Sequence, residues 1–414
     1  MRSNLPATGK SSKNSAVRES TSLTPLKVAQ KTTFLEWDSQ PSLFKHYPAF
    51  CYRIDENPTL EWLFHVRSVT SSVMIGKKPY HRFNVPSAGN LHPIEMYVQI
   101  RNIAGVLDGI YHVDPLNRQI VLIREIERDG IERAIGLENR FNGFIVMFSL
   151  VPFRSFWKYG LRAWRYCYLD LGHQIGALCA VAHHFGLAAT KLSDIQHHLL
   201  NLQMGMGEDE FIAAVYPFGE SGKKPATALE TESMRVSPCD YTQRERVLSD
   251  AIVSEVPYTR CIPETIWNGS ISCSRRSARE FYPPAMEDDV LAQIVDTEHE
   301  TSLEVVHIVL QAQTMQCGVY RNGVCTQVGN YSAEMVHLLL EQRFIAGASV
   351  ISLIFGRSFD AVTHIEAGKY AHKLYLISEE SNAGCSGIGA FYDDEALCWS
   401  ANPLLYAVAI GGKV

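Results

Sequence analysis

Two short stretches, far apart in the chain, hold residue types that could do chemistry. The first is Pro86-Ser87-Ala88-Gly89-Asn90. Small residues behind a proline leave backbone amides and short polar side chains clear of bulky neighbours. Such a loop can lie flat against a planar ligand and donate hydrogen bonds to it. On spacing alone, a Pro/Gly stretch is more often an ordinary strand entry. The second is Arg275-Arg276-Ser277-Ala278-Arg279. Three guanidinium groups and a hydroxyl ahead of a helix make an anion clamp suited to a phosphate monoester. Taken alone, Arg-Arg-Ser is more commonly a solvated surface cluster. Near the other end, Gly387-Ile388-Gly389 sits in a Gly-rich stretch after a long helix, where a turn can expose amides to a ring edge. It lacks the strand-to-helix context of a dinucleotide fingerprint. The adjacent pairs His183-His184 and His197-His198 are poorly spaced for joint ligation, so no metal site is expected.

The elements that must position these residues follow from periodicity. Residues 94–101 alternate, with Ile94, Met96, Val98 and Ile100 on one face and Glu95, Tyr97, Gln99 and Arg101 on the other, which predicts a half-buried strand. Residues 60–70 read as a helix broken at Gly76. The runs 109–113 and 119–123 flank Asp114-Pro115-Leu116-Asn117 and predict an antiparallel hairpin. The continuous apolar run 144–151 reads as a buried central strand. A helix follows from near Arg162 to Phe185, and its stripe Gly172, Gly176, Ala180 permits close approach of another helix. Residues 219–225 contain Gly222-Lys223, but the spacing from Gly219 is wrong for a P-loop, and they read as a loop.

The second half repeats the first. Run 348–355 answers 144–151, and 367–376 answers 171–180, so the chain reads as two copies of one α+β unit. The expected division is a disordered tail over 1–25, an aromatic-rich arm over 26–59, a first domain over 60–217, a linker over 218–263 and a second domain over 264–414. With 414 residues, 46% apolar, the chain can bury a large core. A net charge of -6 gives no basic field for nucleic acid, and no apolar run is long enough for a membrane span. Ten scattered cysteines without a Cys-x-x-Cys pair suit a reducing cytoplasm.

Taken together, these stretches resemble the FMN-dependent nitroreductase family, and in detail its SagB-type azoline dehydrogenase branch. The resemblance covers roughly 60 to the C-terminus. It rests on 84–90, 109–112, 157–166, 169–173, Arg275-Arg276-Ser277-Ala278-Arg279 and 387–391. It implies two tandem nitroreductase-like domains, each a mainly antiparallel sheet flanked by helices, forming a pseudo-dimer within one chain. In the family one subunit brings the Arg-Arg-Ser clamp and Gly-rich contacts to FMN, and the other brings the Pro-Ser loop. Here the first copy keeps Pro86, Ser87, Ala88, Gly89 and Asn90, and the second keeps Arg275, Arg276, Ser277, Arg279, Gly387, Ile388 and Gly389. Complementary losses imply one FMN per chain, at the seam between the halves.

By the same resemblance Lys158 and Tyr159 are the catalytic pair. Aromatising a thiazoline or oxazoline delivers a hydride to the flavin N5 and releases a carbon-bound proton, which a desolvated Lys, or a Tyr beside a cation, can accept. Without the family context, Lys-Tyr in a loop is more often solvated and inert. The implied activity is azoline oxidation in a peptide-derived natural product, with oxygen reoxidising the flavin and a carrier or cyclodehydratase as partner. The alternatives are an NAD(P)H-dependent nitro or quinone reductase, and a degenerate flavin- or peptide-binding partner in a biosynthetic complex.

Overall fold

The computed structural model describes residues 8–30, 35, 37–55, 57–76, 78–192, 194–238, 274–282 and 286–413. The chain forms two units that interleave along the sequence. An early unit comprises Glu36–Lys158 and Gln174–Ser274; a late unit comprises Met1–Leu35, Tyr159–His173 and Arg275–Val414.

The early unit is built on a six-stranded sheet. In chain order its strands are β1 (Arg53–Ile54), β4 (Ile94–Arg101), β5 (Gly109–Asp114), β6 (Gln119–Glu125), β8 (Asn139–Leu150) and β9 (Phe211–Pro225). Their order across the sheet is β1-β6-β5-β4-β8-β9, and every pairing is antiparallel. The β5–β6 hairpin forms where the sequence predicts it, because the Asp114 carboxylate accepts the amides of Leu116 and Asn117 and closes the turn. The run at 144–151 is the central strand β8, flanked by β4 and β9. A separate hairpin joins β2 (Val69–Ile75) to β3 (Lys78–Phe83) through Gly76, whose φ is +61°. The helix expected over 60–70 is therefore shorter: α3 covers only Glu61–Val66, and the β-branched residues from Val69 onward pass into the hairpin. Two short strands, β7 (Asp129–Gly130) and β10 (Thr227–Ala228), pair in parallel beside the main sheet. Ile110, Ile145, Met147 and Val215 of the sheet pack with Ile131, Ile135 and Leu200 in the unit's apolar core.

Strand β4 departs from its half-buried reading, since all eight of its residues are buried. Its polar row meets buried partners in place of solvent. Glu95 takes a hydrogen bond from Arg154 at 2.6 Å and lies 3.2 Å from His112 and 4.0 Å from Arg67. Tyr97 donates to Glu210 at 2.8 Å, and Glu210 also pairs with Lys45 and takes the Ser149 hydroxyl at 2.6 Å. Arg154 comes from helix α4 (Pro152–Tyr159), and Lys45 from the arm that precedes β1.

The late unit holds a second six-stranded sheet. It is made of β11 (Leu303–Val309), β12 (Gly318–Arg321), β13 (Val324–Val328), β14 (Val350–Gly356), β15 (Ala383–Ile388) and β16 (Leu404–Gly412), again antiparallel. Its order is β13-β12-β11-β14-β16-β15. The run β6-β5-β4-β8-β9 of the early sheet thus matches β13-β12-β11-β14-β16, as a tandem repeat requires. Helix α9 (Ala361–Glu380) starts at Asp360, whose carboxylate caps the Thr363 amide at 2.8 Å. Helices α7 (Asp288–Val295) and α8 (Ser332–Leu338) belong to the same unit, with Ile351, Leu353, Phe355, Ala407 and Ala409 at the centre of its core.

Helix α5 (Ala163–His184) fulfils the expectation of a close helix contact at Gly172. A Cβ there would lie 2.2 Å from the Ile365 carbonyl oxygen of α9, and one on Gly368 would lie 2.2 Å from the Leu169 carbonyl oxygen.

Four further expectations are corrected. Within the tail read as disordered, Thr8–Thr21 is helix α1, and α2 (Pro25–Ala29) follows, capped by Thr24. Residues 219–225, read as a loop at the start of a linker, continue β9; the later part of that linker, 239–263, lies outside the described residues. The clamp does not sit at a helix start. Ser277 instead bridges Cys385 of β15 in parallel, and α7 begins only at Asp288. Finally, the Gly-rich stretch is strand up to Ile388. Among the described residues no helix is long and apolar enough to cross a membrane.

Candidate functional site

In the late unit the clamp residues and the Gly-rich strand come together around one side chain that no motif marked. The bridge from Ser277 to Cys385 lays the clamp along β15. The Tyr375 hydroxyl, projecting from α9, accepts the Gly387 amide at 2.8 Å and shares a hydrogen bond with the Ser277 hydroxyl at 2.9 Å. The Arg275 guanidinium stands over the Tyr375 ring at 5.2 Å and reaches the Ser277 hydroxyl at 3.4 Å. Arg275 is 5% exposed, and burial lowers its pKa while leaving a guanidinium charged at any working pH. Arg276 donates to the Arg275 carbonyl at 2.7 Å, and Arg279 is exposed.

Beneath this cluster lie three buried groups. The His173 ring contacts His372, Tyr375 and Tyr406, and its Nε2 is 3.2 Å from the Tyr406 hydroxyl. Burial pushes His173 well below the usual imidazole range and His372 down to about 3. It raises Tyr375 to about 12. At neutral pH the layer is thus uncharged imidazole and phenol under a fixed positive charge. The glycines have packing reasons of their own. A Cβ on Gly387 would lie 2.0 Å from the Tyr406 oxygen, and one on Gly389 would lie 2.4 Å from the Tyr166 ring. Ile388 is buried and packs in the core. The carbonyl of Gly389 accepts from Arg162 at 2.8 Å.

Arg162 and Arg165 are committed within the late unit. They hold Asp393 at 2.8 and 2.5 Å and donate to the Thr21 carbonyl and hydroxyl. The two guanidinium groups keep the Asp393 carboxyl below its ordinary range. Lys413 is 3.5 Å from Glu379.

In the early unit, Pro86 is buried and Ala88–Asn90 form one tight turn, with Gly89 exposed at its tip. Gly89 and Asn90 have φ of +63° and +60°, a conformation that glycine and asparagine tolerate best. The Ser87 hydroxyl accepts the His92 amide at 2.9 Å. The Asn90 side chain donates to the His81 carbonyl at 2.8 Å and meets the His92 ring at 3.0 Å. The loop is thus braced by its own side chains, with the backbone at Gly89 outermost.

Lys158 and Tyr159 end helix α4, and Gly160 follows with φ of +56°. The division between the units falls at the peptide bond joining them. Both are half-buried. The Lys158 ammonium lies 5.5 Å from the ring of Trp37, which packs edge-on against Trp157 at 5.8 Å. The Tyr159 ring packs edge-on against Tyr166 at 4.6 Å. Gly160 follows α4 and opens a single 3-10 turn, Gly160–Arg162, that leads into α5.

Two cavities in the late unit, of about 410 and 330 Å³, contain none of the residues expected at the site. Among the described residues no group of three or more His, Cys, Asp or Glu is arranged to hold a metal ion.

The arrangement of strands and helices matches known structures. The crystal structure of a protein from Anabaena variabilis assigned as a nitroreductase superposes with a TM-score of 0.77, covering 97% of this chain and 99% of that one at 19% identity. The fold is therefore nitroreductase-like, present as two antiparallel six-stranded sheets with helices. A Methanocaldococcus jannaschii protein, also assigned as a nitroreductase, is 30% identical over 112 residues, or 26% of this chain. The chain spans 56% of that relative's length. A superposition on the E. coli microcin synthetase McbBCD complex with truncated pro-MccB17 bound reaches a TM-score of only 0.32 at 16% identity, too low to define a shared fold. No protein-family model matches the chain.

Proposed function

We propose that this protein is an FMN-dependent oxidoreductase that converts thiazoline or oxazoline rings of a peptide-derived compound to thiazoles or oxazoles. The observation that carries the cofactor assignment is the Arg275–Ser277 pair held against Tyr375. Its guanidinium and hydroxyl donors over a neutral buried layer fit the phosphate of FMN. Arg276, Arg279 and the strand at Gly387, Ile388 and Gly389 are assigned to the same end of the cofactor. Pro86, Ser87, Ala88, Gly89 and Asn90 are assigned ring contacts from the sequence resemblance, and Gly89 as the exposed tip suits a flat ligand.

Bound FMN supplies the two-electron acceptor. The chain's task is the proton. Aromatising the ring removes two hydrogens, one as hydride and one as a proton from carbon. Lys158 or Tyr159 takes the proton, and their half-buried setting at a helix end keeps them from full solvation. A carrier or cyclodehydratase would present the ring-bearing peptide. The second reading is an NAD(P)H-dependent nitro or quinone reductase, favoured by the 30% identical relative assigned as a nitroreductase.

The test begins with the absorbance of the purified chain, where one flavin per polypeptide is expected. Lys158→Ala and Tyr159→Phe should each keep the flavin and lose turnover of a thiazoline-bearing peptide. Normal turnover by both variants rejects the base assignment. Rapid bleaching by NADPH, without azoline turnover, selects the reductase.

A further inference from the structure

Among the described residues, the late unit has no strand on the sheet edge that the early unit closes with its own chain. In the early sheet β6 is paired along its outer side by β1, with Arg53 opposite Val121 and Ile54 opposite Ile120. The Leu122 amide extends that pairing to the Tyr52 carbonyl at 2.9 Å. Strand β13 holds the matching place in the late sheet, and among the described residues it pairs only with β12. Val324 and Val328 are each 63% exposed on it. An open apolar edge of this kind is a template for another extended chain.

A cavity of about 410 Å³ opens beside that edge, lined by Thr326 and Gln327 of β13 together with Tyr331, Glu334, His337 and Trp399. The Tyr331 and Trp399 rings meet edge to face at 5.5 Å and 78°, giving the cavity an aromatic corner. Its basic groups are already engaged by carboxylates. Glu304 is taken by Arg321 at 2.7 Å, and Glu341 and Glu395 share His337 at 2.6 and 2.9 Å. Glu334, exposed in the first turn of α8, has no ion-pair or hydrogen-bond partner among the described residues. Of these groups Glu334, Glu395, Arg321 and His337 line the cavity, and Glu334 is the carboxylate among them with no ion pair or hydrogen bond among the described residues. Aromatic faces beside an uncompensated carboxylate favour an ammonium or guanidinium.

We infer that the β13 edge and its adjoining cavity bind an extended peptide segment of a partner protein, which adds as a strand and places a lysine or arginine side chain between Tyr331, Trp399 and Glu334. The early unit shows strand addition at the matching edge within the same chain, where β1 pairs with β6. Main-chain pairing supplies affinity, and the Tyr331 and Trp399 rings with Glu334 supply selectivity.

The test is fluorescence anisotropy of the full chain with a labelled hexapeptide of alternating threonine and valine carrying one central lysine. Its twin carries glutamate in place of the lysine. The lysine peptide should bind at least about tenfold more tightly than its twin. Glu334→Lys, an exposed change that loses no ion pair or hydrogen bond among the described residues, should remove that preference while leaving the melting temperature unchanged. N-methylation of alternate backbone amides should abolish binding. Equal affinity of the two peptides, no binding of either, or full binding by the N-methylated peptide overturns the inference. So does a stable dimer in sedimentation that the lysine peptide fails to dissociate, because a second copy would then own the edge.

Discussion

Tyr375 shows what a single side chain contributes. Its hydroxyl is the common partner of the Ser277 hydroxyl and the Gly387 amide, while its ring supports Arg275. Tyr375→Phe keeps the ring and removes the shared oxygen, leaving a buried amide and a hydroxyl to find new partners at about 1–3 kcal/mol. If the cluster is the phosphate end of an FMN site, that cost falls on the clamp's geometry. The FMN dissociation constant should then rise about tenfold, measured by flavin fluorescence titration, with little change in the far-ultraviolet circular dichroism of the apoprotein. Unchanged affinity would mean that the guanidinium and hydroxyl serve the strand and not a ligand. Arg275 and Ser277 could be singled out in the sequence through the family resemblance, since Arg-Arg-Ser taken alone is more commonly a solvated surface cluster. Tyr375 could not, because an aromatic residue inside a long helix looks the same whether its hydroxyl is buried and bonded or merely packed.

At the scale of elements, the crossing of α5 and α9 depends on two glycines that admit backbone to backbone. Gly368→Ala gains about 1 kcal/mol of helix propensity, but it puts a methyl 2.2 Å from the Leu169 carbonyl oxygen. That contact has no flexible side chain to yield, so the helices must separate. A net loss of about 1–3 kcal/mol is expected in urea unfolding. A stability equal to or above the parent would show that the helices can part without cost. The small-residue stripe at Gly172 made this contact readable from spacing. Strand β4 was misread for the opposite reason. Alternating polar residues predict solvent on one face only if nothing distant neutralises them, and here Lys45, Arg67, Arg154 and Glu210 do so from other parts of the chain. Periodicity records the alternation and is blind to such partners. The helix Thr8–Thr21 was hidden likewise. Its polar composition resembles a solvated tail, yet Thr21 at its end is buried and receives Arg162 and Arg165.

At the scale of the whole molecule, the tandem organisation was legible because two apolar strands and two long helices recur half a chain apart, and the matching sheet orders follow from that repeat. Burial lowers the pKa of histidines in both units, His65, His81 and His197 in the early one, but the deeply buried ones cluster in the late unit, so acid should distinguish the two. In the late unit burial drives His307, His364 and His372 down to about 3, and His173 well below its usual range. Each is neutral when folded but takes a proton near pH 6.5 when unfolded. Their contribution is therefore complete above about pH 6.5 and is lost as the pH falls from there toward 3, at up to about 1.4 kcal/mol per pH unit for each histidine. Glu95, one of several buried carboxylates of the early unit, is held low by Arg154, His112 and Arg67. Its contribution persists until the pH drops below about 4, where an unfolded glutamate takes its proton. Hydrogen exchange read by mass spectrometry at pH 7 and pH 5 should show protection lost first from β11, β14 and α9, with β4 and β8 still protected. Simultaneous loss from both sheets at pH 5, or earlier loss from β4, would mean that the buried histidines of the late unit do not set its stability. Either result would also bear on the clamp, because protonating His173 or His372 puts a second positive charge beneath Arg275.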